Sequence, residues 1–210
     1  MKIGILGAGA IGGSLAQLWA RQGHRALVSS RHPDALSDIT GGPGSRITAG
    51  TVDEAIAFSD VLLDALPFGI SLGLDADALA GKTLLSASNY YPQRDGQQDL
   101  GGATDTEAVA RRLPRTRVVK VFNIIPAAIF RQRLTSTDGA SGIAVPIAGD
   151  DREALDTAAQ LVRDAGFTPV AVGGLSKGTL FKVDTPPYGA NWPADQLHAW
   201  LNEQGITNEA

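Results

Sequence analysis

The chain of 210 residues contains no cysteine. That excludes disulfide cross-links, a thiolate nucleophile and any zinc site built on sulfur, and it agrees with a reducing compartment. Positive charge is not in excess either, since 18 basic and 22 acidic residues leave a net charge of -4. A nucleic-acid-binding face or a polybasic membrane patch would need the opposite balance, so no nucleic acid and no membrane is expected among the partners. No apolar run approaches the roughly 20 residues of a membrane-spanning helix. The first strand pattern begins at residue 2, so no signal peptide is expected and the expected location is cytoplasmic. Histidine is scarce, with three in all. None of His24, His32 and His198 has a carboxylate at the spacing of a general base or metal ligand, and no metal is expected. A tyrosine with a lysine four residues later, a proton donor for carbonyl reduction, is also missing. Tyr90, Tyr91 and Tyr188 are followed at that spacing by Arg94, Asp95 and Trp192.

What the sequence does contain is concentrated at its start. Residues Ile3 to Leu6 form a short apolar run, and Gly7, Gly9 and Gly12 follow as G-x-G-x-x-G. Strand, glycine turn and helix in that order are the context of a dinucleotide fingerprint. Gly7 permits the tight turn, Gly9 presents no side chain to a pyrophosphate, and Gly12 lets the helix approach the strand. Ala8, Ala10 and Ile11 complete the turn and the helix start, where free N–H groups favour an anion. Ile11, Leu15, Leu18 and Trp19 keep the spacing of a core-facing helix, Gly23 ends it, and Arg25 to Ser29 reads as the second strand.

Strand and helix patterns continue to alternate, which predicts a parallel sheet covered on both faces. A short helix is expected over 33–39, a turn cluster over 41–44, a strand over 47–51 and a helix over 52–58. Further strands are expected over 60–66, 83–87 and 117–122. A polar, irregular stretch covers 89–103, and Thr104 with Glu107 forms a capping-box pattern opening a helix. Strands over 144–148 and 167–172 flank a helix for which Asp150 is the expected N-cap, and a terminal helix spans 193–205. The expected fold is a Rossmann-type doubly wound, mainly parallel three-layer α/β/α sheet with extra C-terminal strands. One domain over 1–210 is expected, its core at about 1–145 and its extension over 146–210.

The end of the second strand separates NAD from NADP. An acidic residue about 20 positions beyond the glycines would hold the ribose diol, and the sequence offers Ser29, Ser30, Arg31 and His32 instead. Two hydroxyls and a guanidinium suit a 2′-phosphate, so NADP is favoured, with His32 able to stack on adenine or donate to the phosphate. Loops at the carboxyl ends of later strands should line the nicotinamide side. These contribute Ala65, Leu66, Pro67, Ser88 and Asn89 to the expected cofactor site, and Asn89, Tyr90 and Lys120 are the catalytic candidates. Lys120, inside a strand, reads equally as a snorkelling lysine or an edge charge.

With these residues in view, the chain resembles the reductases that pass hydride between NADP and the deazaflavin coenzyme F420, with their wider group of NADP-binding oxidoreductases. The resemblance rests on the opening glycines, Ser29 to Arg31, Ala65 to Phe68, Ile124 to Ala128, Ala148 to Asp151 and Gly174 to Ser176. It implies NADP(H) on the Gly7 to Gly12 turn, its 2′-phosphate near Ser30 and Arg31, a homodimer, and a ring stacked on the nicotinamide with no separate acid or base. Asn89 to Gly96 looks like the wider group, and the tail after Ser176 is short and polar where the deazaflavin reductases carry an apolar helix. The expected function is therefore hydride transfer between NADP(H) and a planar acceptor, F420 or a flavin. Imine and hydroxy-acid reductases append an all-helical domain, and no such pattern follows here. The alternatives are an NADPH-dependent reductase of a small imine or carbonyl, with Tyr90 or Lys120 as donor, and a non-catalytic NADPH-binding sensor.

Overall fold

A computed structural model describes residues 1–42, 44–136 and 141–206. Its eight strands are β1 (Lys2–Leu6), β2 (Arg25–Ser29), β3 (Ile47–Gly50), β4 (Val61–Asp64), β5 (Thr83–Ser86), β6 (Arg117–Lys120), β7 (Ala144–Gly149) and β8 (Thr168–Gly173). They form one sheet in the order β3-β2-β1-β4-β5-β6-β7-β8. Neighbours from β3 to β6 are parallel, β7 and β8 are parallel to each other, and the β6–β7 pair is antiparallel. The sheet is thus the Rossmann-type, mostly parallel one that the alternating pattern predicts, and its late strands do join the same sheet. The antiparallel junction is not legible in the sequence, because pairing direction depends on how the chain returns and not on the strand's own residues.

The central strands read as continuous apolar runs because successive side chains go to opposite, equally covered faces. Leu62, Leu84 and Val118 enter one hydrophobic cluster, and Leu63, Leu85 and Val119 enter the other. The nine helices among the described residues are α1 (Ala10–Arg21), α2 (Ser37–Thr40), α3 (Val52–Phe58), α4 (Phe68–Ser71), α5 (Pro92–Asp95), α6 (Asp105–Arg112), α7 (Ala127–Thr135), α8 (Arg152–Asp164) and α9 (Ala194–Glu203). Leu15 and Trp19 of α1, Phe130 of α7, Leu161 of α8 and Leu197 of α9 fill the larger cluster. Ala55 and Ile56 of α3, Phe68 of α4 and Val109 of α6 fill the smaller one on the opposite face. The indole N–H of Trp19 donates to the Leu161 carbonyl at 2.8 Å, joining α1 to α8.

Local chemistry explains where several elements begin. Thr51 with Glu54 and Thr104 with Glu107 form reciprocal capping boxes at the starts of α3 and α6. The cap of α8 is Asp151, not Asp150. Asp151 accepts the Ala154 N–H at 2.9 Å, whereas Asp150 is turned to the Leu175 N–H at 2.9 Å. The helix expected over 33–39 divides into a 3-10 turn (Pro33–Ala35) and α2. In the turn cluster expected over 41–44, Pro43 lies outside the described residues, as do the last four positions of the expected 1–210 domain. The short helices α4 and α5, the helix α7 and the 3-10 segment Leu175–Phe181 were not expected as elements. Each starts at or just after a proline or glycine: α4 after Pro67, α5 at Pro92, α7 after Pro126 and the 3-10 segment after Gly174.

Candidate active site

The carboxyl ends of the parallel strands open into one cavity of about 1090 Å³, at the upper end of ligand-site sizes. Its first wall is the β1–α1 turn. Gly7 has φ of 104°, a left-handed conformation that strains any residue with a side chain. The Gly7 N–H donates to Ser29 Oγ at 3.1 Å, which ties the turn to the end of β2. A Cβ on Gly12 would lie 2.1 Å from the Gly7 carbonyl oxygen, so only glycine lets α1 start this close to the turn. A Cβ on Gly9 would meet nothing within 4 Å. Gly9 is also the N-cap of α1 and no side chain caps that end, which leaves the first-turn N–H groups available to an anion in the cavity.

The other walls come from loops in order along the sheet. Gly7, Ala8, Gly9 and Ile11 line the cavity beside Ser29, Ser30 and Arg31, then Ala65, Leu66 and Pro67, then Ser88 and Asn89. Twelve of the fifteen residues expected to hold the cofactor are therefore brought to one surface. Ala10, Gly12 and His32 do not line it. Gly12 lies beneath the turn, and exposed His32 uses its backbone N–H to donate to Ser30 Oγ at 3.0 Å. Of the catalytic candidates, only Asn89 lines the cavity. The Tyr90 ring packs on Phe68 with centroids 5.2 Å apart, and its hydroxyl donates to the Gly96 carbonyl and accepts the Gln98 N–H.

Lys120 is neither snorkelling nor at an edge. It is fully buried, and its ammonium donates to Asp105 Oδ1 at 2.6 Å and Thr106 Oγ1 at 3.0 Å. Burial pulls its pKa below the ordinary lysine value, and the Asp105 carboxylate offsets part of that. Asp105 also accepts the Tyr90 N–H at 3.3 Å, so the pair braces the β5 loop from behind the cavity. His24 is likewise structural, 2.8 Å from the carboxylate of Asp164, which is remote in sequence.

Several residues at the site escaped the sequence reading. Asp64, at the end of β4, is fully buried; its Oδ1 accepts from the Leu66 N–H at 3.1 Å and the Ser71 hydroxyl at 2.9 Å. Burial pushes its carboxyl up to about 6 against the lowering effect of the hydrogen bonds from Ser71 and Leu66. An aspartate inside an apolar strand was the signal. Asn123 lines the cavity, accepts from Asn89 Nδ2 through its carbonyl at 2.8 Å, and donates through Nδ2 to Asn89 Oδ1 at 3.2 Å and the Phe181 carbonyl at 2.8 Å. It is aimed there by Phe122, whose φ of 62° is strained for an aromatic residue. Edge-to-face contacts of that ring with Trp19, Phe130 and Phe167 hold it in place.

The wall beyond Asn89 is also polar. Arg94 donates to the Asn89 carbonyl at 2.7 Å and to both oxygens of Asp95 at 3.0 and 2.9 Å, and its guanidinium lies 5.0 Å from the centre of the Tyr91 ring. Burial works to raise the Asp95 pKa, but hydrogen bonds from Arg94, Tyr91 and Gly69 with the Arg94 charge outweigh it and hold the carboxyl below its usual range. Tyr91 and Tyr188 bring their hydroxyls into contact across the cavity wall. Among the buried side-chain atoms with no partner are Ser88 Oγ and Asn123 Oδ1, both on residues that line the cavity.

Residues 2–90 match the family described as NADP oxidoreductase, coenzyme F420-dependent. The chain is also similar to Metalloreductase STEAP3 of Rattus norvegicus, with 33% identity over 177 residues covering 83% of this chain and 34% of that protein. It thus spans about a third of the length of the curated relative it matches. Among solved structures it is similar to the hypothetical protein SMa0349 of Sinorhizobium meliloti, with a TM-score of 0.75 and 29% identity over 93% of this chain and 96% of that one. A protein of Arthrobacter sp. FB24, provisionally described as an F420-dependent NADP-reductase, has a TM-score of 0.67 and 22% identity over 98% of this chain and 94% of that one. The last likeness speaks to the fold alone. Among the described residues no helix is long and apolar enough to cross a membrane.

Proposed function

Starting from a chain that belongs, through residues 2–90, to the NADP oxidoreductases of the coenzyme F420-dependent family, we propose that it moves hydride between NADP(H) and a planar acceptor of the flavin or deazaflavin type. The observation that carries this reading is the single cavity running from the Gly7 turn to Tyr188. In doubly wound sheets a dinucleotide lies across the carboxyl ends of the strands with its pyrophosphate at the glycine turn, and here the same cavity continues past that span to a second polar wall. The residues fit the cofactor at three points. The uncapped start of α1 and the open face of Gly9 suit the pyrophosphate. Ser30 and Arg31 suit a 2′-phosphate, while Ser29 serves mainly to hold Gly7. Ser88 Oγ and Asn123 Oδ1, buried and unpartnered, suit the carboxamide of the nicotinamide.

When bound, NADPH supplies a transferable hydride, and the protein's part is to bind, orient and exclude water. The edge of the cavity also carries Ile70, a large apolar side chain 57% exposed. A homodimer that covers it is part of the proposal, and a monomer by sedimentation equilibrium would remove that part. A second reading, reduction of a small imine or carbonyl, draws support from the two hydroxyls of Tyr91 and Tyr188 at the far wall. Stopped-flow mixing of NADPH-loaded protein with FMN, riboflavin, F420 and a cyclic imine separates these. Rapid oxidation by one of the first three supports the proposal; oxidation by the imine alone replaces it with the second reading.

A further inference from the structure

From the two tyrosines at the far wall we infer that Tyr91 and Tyr188 form a single proton-donating unit facing the hydride acceptor, a conjugated ring bearing a nitrogen or carbonyl oxygen in conjugation with the atom that takes the hydride. The inference rests on the proposed hydride transfer and assigns the acid that the sequence did not reveal. Each phenol has one O–H donor. One of the two hydroxyl hydrogens is used between them, and no other partner of either hydroxyl is found among the described residues. One O–H of the pair therefore remains to be satisfied, and both residues line the cavity.

The pair is built to stay where it is. Tyr91 is fixed by its N–H, which donates to Asp95 Oδ2 at 2.9 Å, and by the Arg94 guanidinium stacked on its ring. Tyr188 arrives from a distant loop, and that loop is pinned by the Tyr188 N–H to the Thr185 carbonyl at 3.0 Å and the Gly189 N–H to the Ile124 carbonyl at 2.9 Å. The second bond seats Tyr188 beside the β6 loop that carries Asn123. The β5 and β6 loops flank the nicotinamide end of a doubly wound sheet, so the free O–H faces the place where reduction would occur. Burial and then the bond to Tyr91 push the Tyr188 phenol above its usual range, so Tyr188 keeps its proton at neutral pH.

The balance is complete with species already named. NADPH, the oxidised acceptor and one proton become NADP⁺ and the acceptor reduced by two electrons and two hydrogens. The hydride with its electron pair bonds to the acceptor's central ring atom, a nitrogen in a flavin and a carbon in a deazaflavin, and charge builds on the ring nitrogen or carbonyl oxygen conjugated with it. The Tyr91–Tyr188 unit gives its proton to that atom, and water entering the cavity restores it.

Two measurements test this with FMN as the probe and Tyr188→Phe and Tyr91→Phe as variants. In the NADP⁺ complex, where no turnover occurs, FMN should bind at least fivefold more weakly to Tyr188→Phe than to wild type by fluorescence quenching, with NADP⁺ affinity changed less than twofold. In single turnover, hydride transfer from NADPH should slow at least tenfold in either variant. The double variant should be no slower than about the worse single one, because the two act as one donor. FMN affinity and transfer rate both within twofold of wild type, or a loss matched by an equal loss of NADP⁺ affinity, would overturn the assignment. If wild type passes hydride to no acceptor, the proposed function fails on its own, and the FMN binding comparison still decides the role of the pair.

Discussion

The two ends of the cavity are built in different ways. At the nucleotide end, backbone does most of the work: a glycine turn, an open helix start and three residues at the end of β2, drawn from residues 7–31. At the acceptor end, side chains do it: Asn89, Tyr91 and Arg94 from one loop meet Asn123 from a second and Tyr188 from a third. The first end needs little support because its geometry is written into φ values and the absence of side chains. The second needs braces behind it, the Lys120–Asp105 pair, the Arg94–Asp95 pair and the strained Phe122. The comparison teaches that a site for an invariant cofactor can be local, whereas a site for a particular acceptor is assembled from distant parts of the chain.

That comparison breaks if the acceptor end stands without its braces, and Lys120 is the severest test. Removing one partner of a buried ion pair leaves the other charge unpaired and costs about 3–5 kcal/mol. Lys120→Met strands Asp105 in this way, and we expect a loss of that size by urea denaturation at pH 7. A loss below about 1 kcal/mol would mean the β5 loop is held by packing alone. The seam between the two ends, at Asp64, comes next. Its carboxyl is raised from 3.8 to about 6, so between those values the folded protein keeps a proton that the unfolded chain has released. Stability therefore falls as pH rises through that window, with the full penalty above pH 6, up to about 3 kcal/mol. Asp64→Asn can keep the bonds from Leu66 and Ser71 and offer its amide to the unpartnered Ser86 Oγ. It should raise the melting temperature at pH 8 and leave it nearly unchanged at pH 4; equal effects at both values would remove the buried charge as the cause.

The nucleotide end is sharpened by Arg31. Its guanidinium lines the cavity beside Ser30, and losing one charge-assisted contact costs about 1.5–3 kcal/mol. Arg31→Ala should weaken NADPH by roughly ten- to a hundredfold and leave NADH almost untouched, as read by isothermal titration calorimetry. Equal weakening of both nucleotides would remove Arg31 from the 2′-phosphate.

The same division explains what the sequence allowed to be read. Strands β1 to β8, the Thr104 capping box and the residues of the Gly7 turn follow from periodicity and spacing within a few residues, whereas the Thr51 box falls at the end of an expected strand. Tyr188 could not be placed, because nothing near it in sequence points to Tyr91, and their meeting depends on the 3-10 segment and loop that follow β8. His24 reads as a turn residue for the same reason, since its carboxylate partner Asp164 belongs to α8. Lys120 is ambiguous in any local window, because a lysine at the end of a strand is buried or exposed according to what packs over it. Here the Asp105 and Thr106 start of α6 does so, with Gly178, where a Cβ would come within 2.7 Å of the lysine side chain.

The smallest expected change in stability carries the sharpest statement about the nucleotide end. Gly9 has φ of -67°, which alanine adopts freely, and a Cβ there would meet no protein atom within 4 Å. Gly9→Ala should therefore change the free energy of unfolding by less than about 0.5 kcal/mol. Gly12→Ala, whose Cβ would press on the Gly7 carbonyl at 2.1 Å, should cost about 1–3 kcal/mol. Yet Gly9→Ala should weaken NADPH binding at least tenfold, because the methyl group fills the space over the turn that the pyrophosphate would occupy. A fluorescence titration with NADPH on protein of wild-type melting temperature reads this directly. Wild-type affinity in that variant would mean the dinucleotide does not lie over the turn, and the nucleotide end would then have no better claim to be read from its own few residues than the acceptor end has.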